Sequence, residues 1–183
     1  MPVTRTELFA RLSELGIATR TVEHPPVFTV AESDKLERDL PGGHTKNLFL
    51  KDAKGRLFLV TAASHNQIDL KQLHKVLGCA RLSFGNPELL QEVLGVAPGS
   101  VTAFALINDP AGRVSFVLDA QLMEHEYINC HPLENTATTS VARGDLLRFI
   151  RACGHEPLIL DLSGEPRGGS SPAQGRAAAL PAR

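Results

Sequence analysis

The sequence contains no tryptophan and a single tyrosine among 183 residues, and aromatics make up only 5% of it. With hydrophobic residues at 43%, a sizeable core is available, but it must be filled chiefly by aliphatic side chains. No sign of charge dominates: 19 Lys and Arg against 20 Asp and Glu leave a formal net charge of −1. A global basic field is therefore absent, and any contact with nucleic acid must be local and modest. Cysteine is scarce and odd in number. Cys79, Cys130 and Cys153 form no CxxC pair, which argues against a disulfide framework or a zinc cluster and fits a reducing cytosol. No apolar run approaches the roughly 18 residues of a membrane span. The stretch Met1–Arg5 leads into no apolar segment of the kind a signal peptide needs.

Several catalytic signatures are missing as well. There is no HExxH, no GxSxG elbow, no Walker A loop and no dinucleotide fingerprint. Seven histidines (His24, His44, His65, His74, His125, His131 and His155) invite a metal reading, yet none pairs with cysteine at a ligand spacing. Cys130 and His131 are adjacent, so on a strand they point to opposite faces. Nothing in the surroundings of any cysteine marks it as a lowered-pKa nucleophile.

What is present is a chain of short, well-punctuated elements. Thr4 and Glu7 have capping-box spacing ahead of Leu8, Leu12 and Leu15, and Gly16 is a natural stop, which predicts a helix over 5–15. Residues 17–22 read as a strand ended by Pro25 and Pro26. A polar helix opens at Thr29 and runs toward Leu40. Residues 46–50 and 56–62 flank Asp52-Ala53-Lys54-Gly55 as a β-hairpin. The apolar run Leu57–Val60 predicts burial on both faces. A helix capped by Asp69 and closed by Gly78, a strand over 80–84, and a helix opened by Asn86-Pro87 and closed by Gly95 follow. Phe104-Ala105-Leu106-Ile107 reads as an outgoing strand, with Val114–Leu118 returning after the turn Asn108–Gly112. Two short strands surround His131–Asn135. A helix over 144–153 and a strand over 158–162 complete the set.

Interspersed helices and strands with several hairpin-like pairs predict an α+β fold with a mixed, largely antiparallel sheet and helices packed around it. One domain over 1–162 is expected. From Ser163 to Arg183, Gly, Ser, Pro, Ala and Arg dominate, which reads as a disordered tail.

Two loops carry the chemistry. In Pro41-Gly42-Gly43-His44-Thr45-Lys46-Asn47-Leu48-Phe49-Leu50, a flexible donor-rich loop runs into an apolar strand with Lys46 at the junction. A strand that fixes the lysine Cα lets its long stem aim an ammonium at an anion. In Pro98-Gly99-Ser100-Val101-Thr102-Ala103, Gly99 permits close backbone approach, and successive N–H groups can converge on one carbonyl or oxyanion.

Together with the segment His131-Pro132-Leu133-Glu134-Asn135-Thr136-Ala137-Thr138-Thr139, these loops resemble the YbaK/ProX family of aminoacyl-tRNA editing domains, over about residues 4–162. The closest likeness is to the freestanding deacylases of Ala-tRNA(Pro). The resemblance implies the editing-domain fold associated with prolyl-tRNA synthetase, ester hydrolysis without metal, cofactor or covalent intermediate, and a cytoplasmic protein. It also implies aminoacylated tRNA(Pro) as the partner, met at its 3′ end and acceptor stem, and prolyl-tRNA synthetase as a second candidate, with no role for DNA or membrane.

The family's lysine falls on Lys46. Its glycine loop spans Gly99 to Ala103, where alanine replaces the family's proline and predicts a looser loop. Catalytic roles are expected for Lys46 and for the main-chain donors of Gly99, Ser100 and Val101. Substrate contacts are expected from Val27, Phe28, His44, Thr45, Phe49, Thr102, Ala103, His131 and Asn135. Lys51, Lys54, Arg56, Lys71, Lys75 and Arg81 are candidate phosphate contacts, with modest affinity that falls with salt. The sister activity on Cys-tRNA(Pro), and a catalytically silent binding module, remain as alternatives.

Overall fold

The computed structural model describes residues 1–27 and 30–163. Its strands are β1 (Thr19–Glu23), β2 (Gly43–Asp52), β3 (Leu57–Ala63), β4 (Leu82–Phe84), β5 (Val114–Asp119), β6 (Tyr127–Cys130), β7 (Ala137–Ala142) and β8 (Leu158–Leu160). The α-helices are α1 (Arg5–Glu14), α2 (Val30–Asp39), α3 (Leu70–Leu77), α4 (Pro87–Leu94) and α5 (Arg143–Ala152). One mixed sheet runs in the order β1-β7-β6-β2-β3-β5-β8, with β4 attached to β2. The β1–β7, β6–β7, β2–β3 and β2–β4 pairs are antiparallel, while β2–β6, β3–β5 and β5–β8 are parallel.

Local sequence signals account for most of the boundaries. The capping box at α1 is complete: Glu7 N donates to Thr4 Oγ1 at 3.2 Å, and Thr4 N donates back to Glu7 Oε2 at 2.7 Å. Asn86 Oδ1 accepts from Leu89 N at 2.8 Å with Pro87 in the first turn of α4, and Gly78 and Gly95 close α3 and α4 at φ 63° and 65°. The β2–β3 hairpin is tightened by Asp52. Its carboxylate accepts from Lys54 N, Arg56 N and Ala80 N at 3.0, 2.8 and 3.2 Å. Burial pushes the Asp52 carboxyl up, but those amide donors outweigh it and hold the group below the usual carboxylate range.

All seven residues of β3 are buried, as its apolar run predicts. The strand is covered on both faces. Leu57, Leu59 and Ala63 join a large core with Phe104, Phe116 and Phe149, while Phe58, Val60 and Ala62 join a second core with Leu50, Leu73 and Leu82. Phe104 and Phe149 meet edge to face, centroids 5.4 Å apart.

The 104–107 segment is not a strand. Ala103–Asn108 forms a 3₁₀ helix, started by Thr102 Oγ1 accepting from Phe104 N at 3.3 Å. A continuous apolar run suits a buried helix turn as well as a buried strand, and tertiary context decides here. β5 already has β3 and β8 as parallel partners, so neither edge is free for a hairpin return. A second 3₁₀ helix, Ala120–Glu124, has no counterpart in the sequence reading. Of the expected tail only Ser163 is described, and Phe28 also lies outside the described residues.

Candidate functional site

β2 is the axis of the site. It pairs with β6 only over Gly43–His44 against Ile128–Asn129, and it meets β4 only at Leu50–Asp52. The intervening residues have β3 on one side and a gap on the other. Because Ser64 N reaches His44 O and Gly85 N reaches Phe49 O, alternate main-chain groups of β2 face opposite edges. Asn47 shares Phe49's edge, and no described residue bonds to its main chain there. The gap is therefore lined by an open strand edge.

Close approach of backbones creates this arrangement. A Cβ at Gly42 would lie 2.5 Å from Tyr127 O, and one at Gly43 would lie 3.0 Å from the His125 ring. Only glycine lets the entry to β2 run this tightly against β6. Beyond Asn129 the strands no longer pair, and Thr45 Oγ1 donates to Asn129 O at 2.8 Å across the opening.

A cleft of about 150 Å³ opens there, between α2 and the sheet. Val27, His44, Thr45 and His131 line it, with Ser33, Leu36 and Glu37 of α2 and Ser64, Asn129, Cys130 and Thr138 of the sheet. Glu37 Oε1 accepts from Ser64 Oγ at 3.2 Å, which ties α2 to the end of β3.

Side-chain alternation puts Lys46 on the same face as His44 and Leu48, opposite Ala62 of β3. Lys46 is half-buried, and no described residue gives it an ion pair or hydrogen bond. An ammonium that is partly desolvated and has no partner among the described residues is favoured to take up an anion. Phe49, by contrast, is buried in the larger core, with its ring against Gly85, where an added Cβ would lie 2.5 Å away. It supports the strand and is not part of the cleft lining.

The histidines are oriented by carbonyls. His131 Nδ1 lies 3.1 Å from Ala137 O and His24 Nδ1 lies 2.8 Å from Pro25 O. Carbonyls only accept, so both Nδ1 atoms carry the proton, and in the neutral ring Nε2 is left as an acceptor. Thr138 Oγ1 sits 2.7 Å from His24 Nε2 and donates to it. His131 Nε2 keeps its lone pair for another donor. His44 Nε2 donates to Leu40 O at 2.7 Å.

Burial lowers the pKa of His131, with the neighbouring His24 adding to the effect and the bond to Ala137 opposing it. The sign for stability follows from proton counting. Below about pH 6.5, the ordinary histidine value, the unfolded chain takes up a proton that the folded chain refuses. The wild type therefore loses stability as pH falls from there toward the lowered pKa. Replacing His131 with Asn removes this component. Urea melts of the two proteins between pH 7.5 and 5 should show a shallower loss for His131→Asn, and parallel curves would contradict the burial.

Asn129 is 2% exposed and was not singled out from sequence. Its Nδ2 lies 3.4 Å from Pro41 O and 3.3 Å from Gly43 O, which fixes the amide orientation, since a flip would set oxygen against two carbonyls. Its Oδ1 has no partner among the described residues, an orphaned acceptor beside the cleft. A polar residue between Ile128 and Cys130 in a buried strand was the signal for it.

Cys130 is the opposite case. Burial pushes its thiol up to about 12, partly offset by the Thr45 hydroxyl, which disfavours the thiolate that nucleophilic catalysis needs.

The glycine loop lies beside the third segment. The space a Cβ would occupy at Gly99, whose φ is 89°, is 3.6 Å from Asn135 Nδ2. Leu133, between His131 and Asn135, is held at φ 69°, an uncommon conformation for a branched residue. Ser100 does not offer the main-chain donor assigned to it. Its N–H closes a turn on Ala97 O at 3.0 Å. Gly99 and Val101 N–H have no partner among the described residues. Thr102 and Ala103 are fully buried, so the loop is anchored at its far end by packing and by the Thr102 cap, even though Ala103 stands where a looser loop was expected. Among the described residues no group of His, Cys, Asp and Glu is placed to hold a metal ion, and no helix is long and apolar enough to cross a membrane.

A family model described as an aminoacyl-tRNA editing domain matches residues 24–149. "Prolyl-tRNA synthetase associated domain-containing protein 1" of Mus musculus is 43% identical over 162 residues, covering 86% of this chain and 95% of that protein. "Prolyl-tRNA editing protein ProX" of Acetoanaerobium sticklandii is 37% identical over 156 residues, covering 85% and 95%. A crystal structure described as a candidate trans-editing enzyme for prolyl tRNA synthetase superposes with a TM-score of 0.66 at 21% identity, over 88% of this chain and 97% of the other. That likeness is one of fold.

Proposed function

Because the chain belongs to the aminoacyl-tRNA editing domain family, we propose that it is a trans-editing hydrolase that removes alanine from mischarged Ala-tRNA(Pro). The observation that carries the reading is Lys46: a half-buried ammonium with no partner among the described residues, next in sequence to His44 and Thr45 of the cleft lining. The ester to be broken joins an amino acid to the terminal ribose of a polyanion. Lys46 holds the terminal phosphate or ribose end as a point charge and does not serve as the base. The Gly99 and Val101 N–H groups receive the ester carbonyl and stabilise the oxyanion that forms when water attacks. His131 Nε2 accepts a hydrogen bond from the substrate's hydroxyl or ammonium group, and Asn135, whose Nδ2 lies 3.6 Å from the position of a Cβ on Gly99, adjoins the glycine loop. The neighbouring ribose hydroxyl helps position the water, which makes the reaction demand RNA.

The biological need follows from size. A synthetase pocket shaped for proline cannot exclude a smaller amino acid, since one methylene is worth only about 1–3 kcal/mol. A second, smaller site that admits alanine and rejects proline supplies the missing discrimination. A cleft of about 150 Å³ walled by Val27 and Leu36 suits a short side chain. Such a protein works in the cytoplasm, on aminoacylated tRNA(Pro) at its 3′ end and acceptor stem, with prolyl-tRNA synthetase as its neighbour in the pathway. The test is a deacylation panel of Ala-, Cys- and Pro-tRNA(Pro). Rapid loss of alanine with proline retained is the expected result. Preference for cysteine would reassign the substrate within the same chemistry, and no loss above the buffer rate for any of them would reject the enzyme.

A further inference from the structure

Phe84 is the most exposed aromatic ring among the described residues, at 66%. It sits on β4, an edge strand, on the same face as the buried Leu82. α3 covers Leu82 through Leu73 and Leu77 but leaves Phe84 in solvent. The elements around this strand carry cations. Lys51 and Lys54 come from the β2–β3 hairpin, Arg81 precedes β4, and Lys71 and Lys75 lie on α3, which packs against β4. All five are exposed, and none has an ion-pair partner among the described residues. The contrast within the molecule is informative, because Arg5, Arg11, Arg113, Arg148 and Arg151 are each paired with a carboxylate. Two acids of the neighbouring elements are engaged locally. Asp52 is buried against three amides of its own turn, and Asp69 caps α3 through Lys71 N.

The sheet also sets a distance. Phe84 pairs with Leu50, four residues along β2 from Lys46 and on the same face. At about 3.4 Å per residue the separation along the strand is roughly 14 Å. Stacked nucleotides advance by about 3.4 Å each, so a strand of RNA whose last nucleotide meets Lys46 brings a base about four positions upstream to Phe84.

We propose that Phe84 is a stacking platform for an RNA base near the junction of the unpaired 3′ end and the acceptor helix, with Lys71 and Lys75 of α3, the helix that packs on the same face, on the adjoining phosphates. An apolar ring amid unpaired cations has the chemistry of single-strand recognition, in which π-faces carry affinity without sequence readout. The assignment rests on the editing reading above for its polarity along β2, but the surface itself can be tested apart from hydrolysis.

The experiment compares wild type, Phe84→Ala and Phe84→Tyr on three probes. For binding of uncharged tRNA(Pro), Phe84→Ala should raise Kd about tenfold and Phe84→Tyr should restore it. For alanyl-tRNA(Pro), the same variant should raise KM about tenfold with kcat unchanged. For the alanyl ester of adenosine alone, which lacks the upstream base, all three proteins should be equal. Equal tRNA binding by all three, or a loss on alanyl-adenosine as large as on the full tRNA, overturns the platform. If Phe84→Ala weakens tRNA binding while wild type hydrolyses no ester, the surface stands and the editing reading falls.

Discussion

Lys46→Ala is expected to lower kcat/KM for alanyl-tRNA(Pro) about 100-fold while leaving the fold intact. A charge-assisted hydrogen bond to an anion is worth about 1.5–3 kcal/mol, and each 1.36 kcal/mol of lost transition-state stabilisation is tenfold in rate. Nothing described in the folded chain depends on the ammonium, since Lys46 has no ion-pair or hydrogen-bond partner among the described residues. Its removal should therefore move the unfolding free energy by no more than about 0.5 kcal/mol. Lys46→Arg should recover only part of the rate, because a planar guanidinium on an equally fixed Cα presents its charge in a different shape. Deacylation at the wild-type rate by Lys46→Ala would remove the residue on which the site is built.

The largest effect on stability is expected at Gly42. Its φ of 117° is one that side-chain-bearing residues rarely adopt, and a Cβ there meets the Tyr127 carbonyl oxygen at 2.5 Å. The obstacle is backbone belonging to β6, so it cannot swing aside as a side-chain tip would. Overpacking of about 1–3 kcal/mol adds to backbone strain of about 1–3 kcal/mol, and Gly42→Ala should cost about 3 kcal/mol or more in urea unfolding. Gly16 provides the control. Its φ is also positive, at 70°, but nothing lies within 4 Å of an added Cβ. Gly16→Ala should show only the conformational part, about 1 kcal/mol. Equal losses at the two positions would mean that close strand approach is not what requires Gly42.

Sequence signals predicted best where the physics is local. Thr4 with Glu7, Asn86 with Pro87, and Gly78 and Gly95 at helix ends each need only a few neighbouring residues, and each does what its spacing predicts. The continuous burial of Leu57–Val60 was legible because an uninterrupted apolar run has to be covered twice. Ala103–Asn108 was misread because four buried apolar residues in a row carry no period, and the choice between helix and strand fell to β3 and β8 taking both edges of β5. The cleft was half legible. Val27, His44, Thr45 and His131 were expected at the site and line the cleft. Ser33, Leu36, Glu37, Ser64, Asn129 and Thr138 arrive from four separate elements, and only the folded sheet brings them together. The turn bond of Ser100 was likewise hidden, since whether a loop amide is free depends on backbone torsions that residue identity leaves open.

The short parallel contact between β2 and β6 has a temporal consequence. His44 and Asn129 are 85 residues apart in the chain, whereas the β2–β3 hairpin closes over a four-residue turn, 53–56. Loop closure makes the distant pairing the slower of the two. On the ribosome the lysine-bearing hairpin emerges early, but its opposite wall does not exist until β6 and β7 have been synthesised. Competence to grip a tRNA end should thus be acquired abruptly, late in synthesis. Nascent chains stalled before Ala137 should retain no charged tRNA 3′ end, and chains stalled well beyond Leu160 should retain it.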